Sequence, residues 1–308
     1  MEGGLFMALL SKWVESLDYE YEILSSCTRH RSHHSTCTKC VETCEKQVIS
    51  INNEKPVMDH SKCVQCGDCM AACPVQAIAG ILPKRKIKQN RLMISDHLFP
   101  TIMELLILHK KGITSIILED ESLIQEWMHR IDQVNQMLME LGESPFSIST
   151  DFVKGEEVCS RRELFSLWKK ESKSLIREMS PAKWRFNHHA LNVRQYYTDF
   201  QFTNITVDID KCTLCQVCVR ICDQKCFEIQ NEHFSLSIKG CTSCGLCADI
   251  CPEKAIILEE KIIKAKEINL PIYEKKCQAC HHSFKTVREH DEMCTPCTKL
   301  NQKGERLG

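Results

Sequence analysis

The clearest alternation of apolar and polar positions lies in the middle of the chain, between residues 84 and 155. Three short apolar runs there are typical of buried strands, and they cover Arg91–Ser95, Ile113–Glu119 and Phe146–Thr150. The stretches between them carry apolar residues at helical spacing instead. Because strands that alternate with helices form parallel sheets, we expect a small α/β module over residues 84–155.

Start and stop signals bound the two helices of this module. Asp96 is a favourable N-cap for a helix from about His97 to Lys111, which Gly112 ends. The second helix runs to Leu141, and its apolar face consists of Ile124, Trp127, Ile131, Val134, Leu138 and Leu141. The first strand–helix junction, S-D-H-L-F-P, lacks the glycines that let backbone approach a pyrophosphate. We therefore expect a docking or spacer module and no nucleotide site.

Two further segments have helical patterns. Residues 1–26 predict an amphipathic helix, and an acid at Glu2 without a basic segment argues against a signal peptide. Residues 156–204 are charged and predict a helical connector, in which Cys159 has no partner at ligand spacing. The longest apolar stretches, such as Leu105–Leu108, are too short to span a bilayer, so we expect no direct membrane insertion.

The chain of 308 residues has 22 cysteines, and seven of them recur after a constant 178 residues. The first copy contains Cys37, Cys40, Cys44, Cys63, Cys66, Cys69 and Cys73, and the second contains Cys215, Cys218, Cys222, Cys241, Cys244, Cys247 and Cys251. Each copy includes the run C-x2-C-x2-C-x3-C-P, which binds 4Fe–4S clusters in bacterial proteins. Such spacings favour metal clusters over a disulfide scaffold. Because the chain has so many thiols, we expect it to work in a reducing cytoplasm.

These motifs resemble those of the bacterial two-cluster ferredoxins, once in residues 27–83 and again in residues 205–262. The resemblance implies two small β-α-β-β-α-β units with the clusters between helices and hairpins, and an electron-transfer role. It also implies four ligand sets. They are Cys27, Cys37, Cys40 and Cys73; Cys63, Cys66, Cys69 and Cys44; Cys212, Cys215, Cys218 and Cys251; and Cys241, Cys244, Cys247 and Cys222.

The first of these sets departs from the motif. The counterpart of Cys212 in the N-terminal copy is His34, within the sequence C-T-R-H-R-S-H-H-S-T-C. Either the first thiolate has moved to Cys27, or a histidine is a ligand, or the site holds a three-iron cluster. Thiolate is the usual cubane ligand, which favours Cys27. The basic residues between Cys27 and Cys37 either raise the potential of this cluster or form a solvated connection.

Short strands are expected on both sides of the cysteine runs. Those after the runs are Ala77–Ile78, Phe227–Ile229 and Ala255–Leu258, and those before them are Val57–Asp59 and Ile205–Asp208. Aligning the copies places Cys226 where Ala77 and Ala255 stand. It therefore predicts a small buried thiol that packs beside a cluster, although a redox or alternative-ligand role stays open.

A separate group of thiols lies in residues 270–300. Two C-x2-C pairs, Cys277 with Cys280 and Cys294 with Cys297, have the spacing of a zinc ribbon. Rubredoxin-type iron uses the same ligands but usually has glycine after the second cysteine of each pair, where this chain has His281 and Thr298. We expect one structural zinc ion, because four thiolates leave no open coordination position for catalysis.

Together the patterns predict an α+β protein with two ferredoxin-like dicluster units flanking a small α/β module, followed by a zinc ribbon. The leading functional hypothesis is an electron-transfer protein with four 4Fe–4S clusters that serves a partner oxidoreductase subunit. A redox-sensing iron–sulfur and zinc regulator of nucleic acid is a second hypothesis, but a net charge of −1 argues against a polyanionic partner. A third is an enzyme with its site in the middle module, where no catalytic constellation is visible.

Overall fold

The computed structural model describes residues 21–80, 85–94, 99–118, 122–149, 191–230 and 232–304. The chain forms two compact units, one of Met1–Cys27 with Thr38–Tyr196 and the other of Thr28–Cys37 with Tyr197–Gly308. Residues 1–20 of the predicted N-terminal helix, Asp96, Cys159 and residues 156–190 of the predicted connector lie outside the described residues. The described ends of both segments contradict the helical prediction, because Glu22–Ile23 is a strand and the strand Phe200–Val207 begins inside the predicted connector.

The N-terminal dicluster region has two small antiparallel sheets. In chain order its elements are β1 (Glu22–Ile23), α1 (Thr28–Arg31), α2 (Lys39–Glu42), β2 (Ile49–Asn52), β3 (Lys55–Met58), α3 (Asp68–Ala72) and β4 (Ile78–Ala79). Strand β1 pairs with β4 and β2 pairs with β3. The β2–β3 turn places Asn53 and Glu54 at φ of 46° and 64°, as a two-residue hairpin requires. Tyr21, Ile49, Met70 and Ile78 are buried between these elements and form their core.

The middle of the chain is an α/β module in the same unit. Its elements are β5 (Lys86–Lys88), β6 (Arg91–Ile94), α4 (Ile102–Lys110), β7 (Ser115–Leu118), α5 (Ser122–Glu140) and β8 (Ser147–Ser149). Strands β6, β7 and β8 are parallel neighbours, which confirms the predicted parallel sheet. Strand β5 was not predicted; it is exposed and pairs antiparallel with β6 at the edge.

The first helix of this module begins later than predicted. It starts at Ile102, not near His97, and the side chain of Thr101 accepts a hydrogen bond from the backbone N–H of Glu104. Pro100 explains the difference, because the residue before a proline is disfavoured in helical conformation. The predicted end is confirmed, since Lys111 caps the helix and Gly112 follows at φ 90°.

The C-terminal dicluster region repeats the strand and helix order of the N-terminal one. It contains β9 (Phe200–Val207), α6 (Val217–Ile221), β10 (Phe227–Ile229), β11 (His233–Ser237), α7 (Leu246–Asp249) and β12 (Ile256–Lys264). Strand β9 pairs with β12 and β10 pairs with β11, both antiparallel. A further strand, β13 (Glu267–Pro271), extends the second sheet by pairing with β11. The predicted strands around the cysteine runs are confirmed, although β9 begins five residues before Ile205 and β12 continues six residues beyond Leu258.

A hairpin and a helix complete the C-terminal end. The hairpin joins β14 (Tyr273–Lys276) to β15 (Ser283–Thr286), and α8 spans Thr295–Gly304. Val287, just after β15, is buried in the same apolar core as Ile205, Phe227 and Ile256 of the dicluster region. The hairpin is thus anchored on that region by burial as well as by chain connectivity. Among the described residues no helix has the length and apolar character needed to cross a membrane.

Candidate metal centres

The four cysteines that end the cluster motifs share one backbone geometry. These are Cys44, Cys73, Cys222 and Cys251. In each case the N–H four residues later donates to the cysteine sulfur, at 3.3, 3.1, 3.5 and 3.3 Å. The residue three positions later has φ near 50°, namely Gln47, Gln76, Lys225 and Lys254. This left-handed residue turns the chain so that an N–H group faces the sulfur, as in backbone turns that bind anions.

The C-x2-C-x2-C runs contain a second repeated geometry. Two positions of each complete run have positive φ, and they are Gln65 and Gly67, Leu214 and Gln216, and Ser243 and Gly245. Successive backbone N–H groups in such turns form concave anion sites, which many iron–sulfur proteins use. The run at Cys37 differs, because Thr38, the counterpart of Gln216, has φ of −128°. The first motif therefore departs from the other copies in backbone conformation at Thr38 as well as in sequence at His34.

One predicted ligand set of the first unit lines a single cavity of about 370 Å³. Cys44, Cys63, Cys66 and Cys69 all face it. Burial raises the pKa of Cys69, and the neighbouring thiols of Cys66, Cys44 and Cys63 raise it further. Four cysteines on one cavity wall are the donor set that a 4Fe–4S cluster requires, so the residues present fit this group.

Tyr21 is a residue of this site that the sequence analysis missed. It is 4% exposed, lines the same cavity, and its hydroxyl donates to the carbonyl of Gln65 at 3.1 Å. Gln65 is the left-handed residue between Cys63 and Cys66, so Tyr21 fastens the turn that carries two predicted ligands. Burial raises the pKa of Tyr21, and the adjacent cysteines add to the shift, so the phenol stays protonated as a donor. No sequence motif marks this tyrosine.

A second predicted set surrounds a pocket in the C-terminal dicluster region. Cys212, Cys215, Cys218 and Cys251 line it together with apolar residues of β9, β11 and β12, namely Val207, Phe234 and Ile256. Burial, with a contribution from Cys212, raises the pKa of Cys218 to about 12. A metal cluster that binds this thiol would displace its proton, because thiolate is the ligand form. This donor set also fits a 4Fe–4S cluster.

The remaining set of this region is more deeply buried. Cys241 and Cys247 are buried, and Cys222 and Cys244 are half-buried. Burial raises the pKa of Cys247, and its neighbours Cys244, Cys241 and Cys222 raise it further. Three thiols of the predicted set therefore act electrostatically on the fourth, Cys247.

Cys226 lies beside this set as a small buried thiol. It is 1% exposed, and its side chain hydrogen-bonds with Cys222 and Cys241, which raises its own pKa. The same hydrogen bond lowers the pKa of Cys222 to about 6. The predicted packing of Cys226 beside the cluster residues is confirmed, whereas its redox role stays a prediction.

The four cysteines of the predicted set with Cys27 do not all belong to one unit. Cys40 and Cys73 pack on the core that contains Tyr21 and Ile49. Cys27 is half-buried, and its N–H donates to the carbonyl of Leu24 at 3.0 Å. Cys37 belongs to the segment Thr28–Cys37, which groups with the second unit.

The segment Thr28–Cys37 is held by two acidic side chains of that second unit. Arg31 binds Asp223 at 2.5 and 3.0 Å, and Thr36 binds Asp249 through both its backbone and its hydroxyl at 2.8 Å. His34 is exposed, and its ring lies 4.0 Å from that of His33. The expectation of a merely solvated connection therefore does not hold for Arg31 and Thr36.

The C-terminal thiols form the most compact group. Sulfur atoms of Cys277, Cys280, Cys294 and Cys297 all lie within 4.8 Å of one another, and Cys277 is fully buried. Backbone N–H groups of Cys294 and Cys280 lower the pKa of Cys277 to about 6, which prepares a thiolate. His281 has φ of 59°, so the left-handed position after Cys280 is reached without glycine. The absence of glycine consequently does not separate zinc from iron, but the group could hold a metal ion.

The α/β module supplies further residues that sequence reasoning did not assign to a site. Phe99, Trp127 and Arg130 line the cavity of Cys44, Cys63, Cys66 and Cys69. Their approach could not be read from the sequence, because Trp127 has the helical spacing of an ordinary core residue. Asp68 lines the same cavity, and burial raises its pKa while Arg130 and Arg85 lower it.

Comparison with known protein families agrees with the two copies of the motif. A model of the 4Fe-4S dicluster domain matches residues 35–77, and a second 4Fe-4S dicluster model matches residues 200–256. The first match begins after Cys27 and His34, whereas the second includes all eight predicted ligands of its region. No curated protein matches the chain. The chain therefore carries two 4Fe–4S dicluster domains and, after them, a cysteine group that could hold one more metal ion.

Proposed function

We propose that this protein carries four 4Fe–4S clusters and relays electrons to or from a partner oxidoreductase subunit. Two 4Fe–4S dicluster domains in one chain are the observation that supports this role. The ligand sets are Cys27, Cys37, Cys40 and Cys73; Cys44, Cys63, Cys66 and Cys69; Cys212, Cys215, Cys218 and Cys251; and Cys222, Cys241, Cys244 and Cys247. When bound, a 4Fe–4S cluster supplies one-electron redox chemistry.

The protein's own groups prepare the sites for this chemistry. Backbone N–H groups after each motif-ending cysteine face its sulfur and offset the negative charge of thiolates. Such hydrogen bonds favour the more negative, reduced state and so raise the potential. Cys40 contributes to the raised pKa of Cys69, and Cys218 to that of Cys247, so a thiol of one set is within electrostatic range of the other set in each domain. Proximity of the sets is what a relay needs.

A partner protein is part of this proposal because a relay has to exchange electrons with something else. Cys215 is exposed, in contrast to the buried Cys241 and Cys247, and we expect the set containing Cys215 to exchange electrons with a partner. We expect a reducing cytoplasm as the working compartment, because so many metal-binding thiols are typical of reducing compartments. We expect no nucleic acid as partner, since the net charge is −1.

We further propose that Cys277, Cys280, Cys294 and Cys297 bind one structural zinc ion. Four thiolates in tetrahedral arrangement are a common structural zinc set and leave no position for substrate. The chemistry of the donors also allows a single iron ion, and metal analysis separates the two.

The first experiment is metal analysis of the full-length protein after anaerobic reconstitution. Four cubanes correspond to about sixteen irons and as many sulfides per chain, and the C-terminal site to about one zinc. A value near eight irons, with one domain lacking clusters, would contradict the proposal.

Two cysteines four residues apart provide a matched pair of variants. Cys222→Ser removes a proposed ligand and should lose or convert one cluster. Cys226→Ala places at this position the residue found at Ala77 and Ala255, and should keep all four clusters. Equal iron loss in both variants would count against the ligand assignment, because only Cys222 belongs to the set.

A further inference from the structure

The cavity of Cys44, Cys63, Cys66 and Cys69 is lined by two protein regions. The dicluster domain supplies the four cysteines, and the α/β module supplies Phe99, Trp127 and Arg130. A second pocket, that of Cys212, Cys215, Cys218 and Cys251, is lined by residues 207–256 alone. The α/β module therefore gives one cluster site surroundings that this second site does not have.

Trp127, which lines this cavity, also carries a buried polar group. The residue is 4% exposed, and its indole Nε1–H has no hydrogen-bond partner among the described residues. An unpaired buried donor costs about 1–3 kcal/mol, so such groups usually have a partner that completes them. Sulfur atoms of a cluster and of its thiolate ligands are acceptors that would fill this role at the same cavity.

The indole is also held in a fixed orientation. Phe99 stacks on Trp127 with ring centroids 4.8 Å apart and an interplanar angle of 12°. The guanidinium of Arg130 lies 5.0 Å from the Trp127 ring and donates to the Phe99 carbonyl at 3.3 Å. These contacts with Phe99 and Arg130 restrict rotation of the Trp127 indole. The direction of its N–H group is therefore fixed.

His109 provides a useful contrast within the same module. Both of its ring nitrogens are buried without a partner among the described residues. Its ring, however, packs edge-on against Phe146 at 5.2 Å and is not part of the cavity lining. Only Trp127 combines an unpaired buried donor with a wall position at a cluster site in the described part of the chain.

We propose that the indole N–H of Trp127 donates a hydrogen bond to a sulfur of the cluster bound by Cys44, Cys63, Cys66 and Cys69, and raises its reduction potential. This inference rests on the proposed function, since it requires a cluster at that site. Reduction adds negative charge to the cluster, and a donor aimed at its sulfur stabilises the reduced state more than the oxidised one. The α/β module thereby sets the potential of one cluster in addition to its structural role.

The test compares Trp127→Phe with the full-length reconstituted protein by redox titration followed by electron paramagnetic resonance. Trp127→Phe keeps an aromatic ring but removes the N–H. We expect the equilibrium constant for reduction of one cluster to fall by on the order of tenfold. This change corresponds to a potential that is lower by about 59 mV for a one-electron couple. The affected signal should be the one that Cys66→Ser abolishes or shifts, and the other clusters should keep their potentials.

Phe99→Leu is the matched packing control, because it disturbs the same aromatic stack without removing a donor. It should change this potential much less than Trp127→Phe. A second readout uses protein labelled with ¹⁵N at the indole nitrogens: a nitrogen coupling to the reduced cluster is expected, and it should vanish in Trp127→Phe. This readout does not depend on how well the variant packs.

The outcomes separate the two proposals. If the wild-type protein binds no iron at Cys44, Cys63, Cys66 and Cys69, the proposed function itself fails at this site. If the cluster is present but Trp127→Phe leaves its potential unchanged and no indole nitrogen couples to it, the inference about Trp127 is overturned and the electron-transfer role stands. An equal shift in Phe99→Leu would likewise overturn it, because packing would then explain the effect.

Discussion

Single residues after the cysteines decide how the sulfurs are presented. Gln47, Gln76, Lys225 and Lys254 all adopt left-handed backbone conformations, although none of them is glycine. A non-glycine residue at positive φ costs roughly 1 kcal/mol or more, which the surrounding structure has to offset. One residue after each of these positions, a backbone N–H donates to the cysteine sulfur. The same strained geometry therefore occurs four times, each time with an N–H group facing a sulfur.

At the residue scale, Tyr21→Phe should loosen the Cys63–Cys66 turn. The change removes the hydroxyl that donates to Gln65, and such a bond contributes about 1 kcal/mol, or roughly fivefold in an equilibrium constant. We expect faster loss of iron to a chelator from the cluster of this turn, measured anaerobically by absorbance. Tyr273→Phe, on the β14 hairpin, is the control and should lose iron at the wild-type rate. Equal rates in all three proteins would show that the hydroxyl does not support the turn.

The identity of the fourth ligand near the first motif leads to a second prediction. Cys27→Ser should lose or convert only the cluster that also uses Cys37, Cys40 and Cys73. His34→Ala should leave that cluster intact, because the His34 side chain is exposed. Iron content and electron paramagnetic resonance of each variant provide the measurement. If His34→Ala removes the cluster and Cys27→Ser does not, a histidine is the ligand.

Within the elements, the α/β module depends on one buried ion pair. Arg85 binds Glu104 through two contacts of 2.8 Å, and their side chains are 9% and 11% exposed. Glu104 belongs to α4, so this pair fixes the helix to the chain entering the module. A low-exposure pair of this kind is costly to break, because the remaining charge loses this partner while it stays in the interior.

Glu104→Ala should therefore destabilise the protein by about 3–5 kcal/mol. The double variant Arg85→Met with Glu104→Leu should recover much of that loss, because no charge is then left buried. Urea unfolding followed by circular dichroism measures both. The exposed pair Lys110 and Glu143 is the control, and Glu143→Ala should cost less than about 1 kcal/mol. A small effect of Glu104→Ala would mean that Arg85 finds water or another acceptor.

The elements of this module show what the sequence could and could not predict. The strands around Leu92, Ile116 and Ile148 were predictable, because apolar runs alternate with helical patterns there. Strand β5 was not, since Lys86, Ile87 and Lys88 are exposed and carry no apolar signal. The start of α4 was predicted near His97 from Asp96, whereas Thr101 is the N-cap and Pro100 disfavours helical conformation at Phe99.

At the metal sites, a residue was predictable from the sequence where a cysteine motif marks it and unpredictable where only tertiary packing brings it to the site. The resemblance to two-cluster ferredoxins implied which thiols line one cavity, and the spacing of two C-x2-C pairs predicted the C-terminal group. Tyr21 and Trp127 reach their cavity through tertiary packing, which leaves no pattern along the chain. The binding of Arg31 to Asp223 spans 192 residues and is equally invisible to local patterns.

The hairpin and helix at the C-terminal end lead to the next prediction. Cys294→Ser should lose the metal of this group, disorder residues 277–297, and leave the cluster absorbance unchanged. Metal binding would supply folding energy to this short segment, while Val287 keeps it attached to the dicluster core. Metal analysis and hydrogen exchange measure the two effects. Met293→Ser, one residue earlier, should keep the metal, and loss of cluster absorbance in Cys294→Ser would show that the site belongs to the dicluster core.

For the whole molecule, the duplication of the motif is the dominant fact. Two 4Fe–4S dicluster domains flank the α/β module in sequence, and the C-terminal metal group follows them. All the proposed cluster ligands are thiolates, and a four-thiolate zinc site is closed to substrate. The module between the domains has no nucleotide fingerprint in its sequence. The proposed electron relay would use these parts together.

The last prediction therefore concerns activity of the purified full-length protein. It should accept electrons from dithionite and pass them to an artificial acceptor, yet convert no metabolite alone. Steady-state assays with formate, hydrogen, CoA thioesters and NAD(P)H provide the measurement. Catalysis should appear when a partner subunit is added, and Cys66→Ser or Cys244→Ser should slow it, whereas Cys226→Ala should not. Because each cluster would be one step of the relay, loss in either domain should limit the rate. Turnover without any partner would contradict the relay and direct attention to residues 91–150 as an active site.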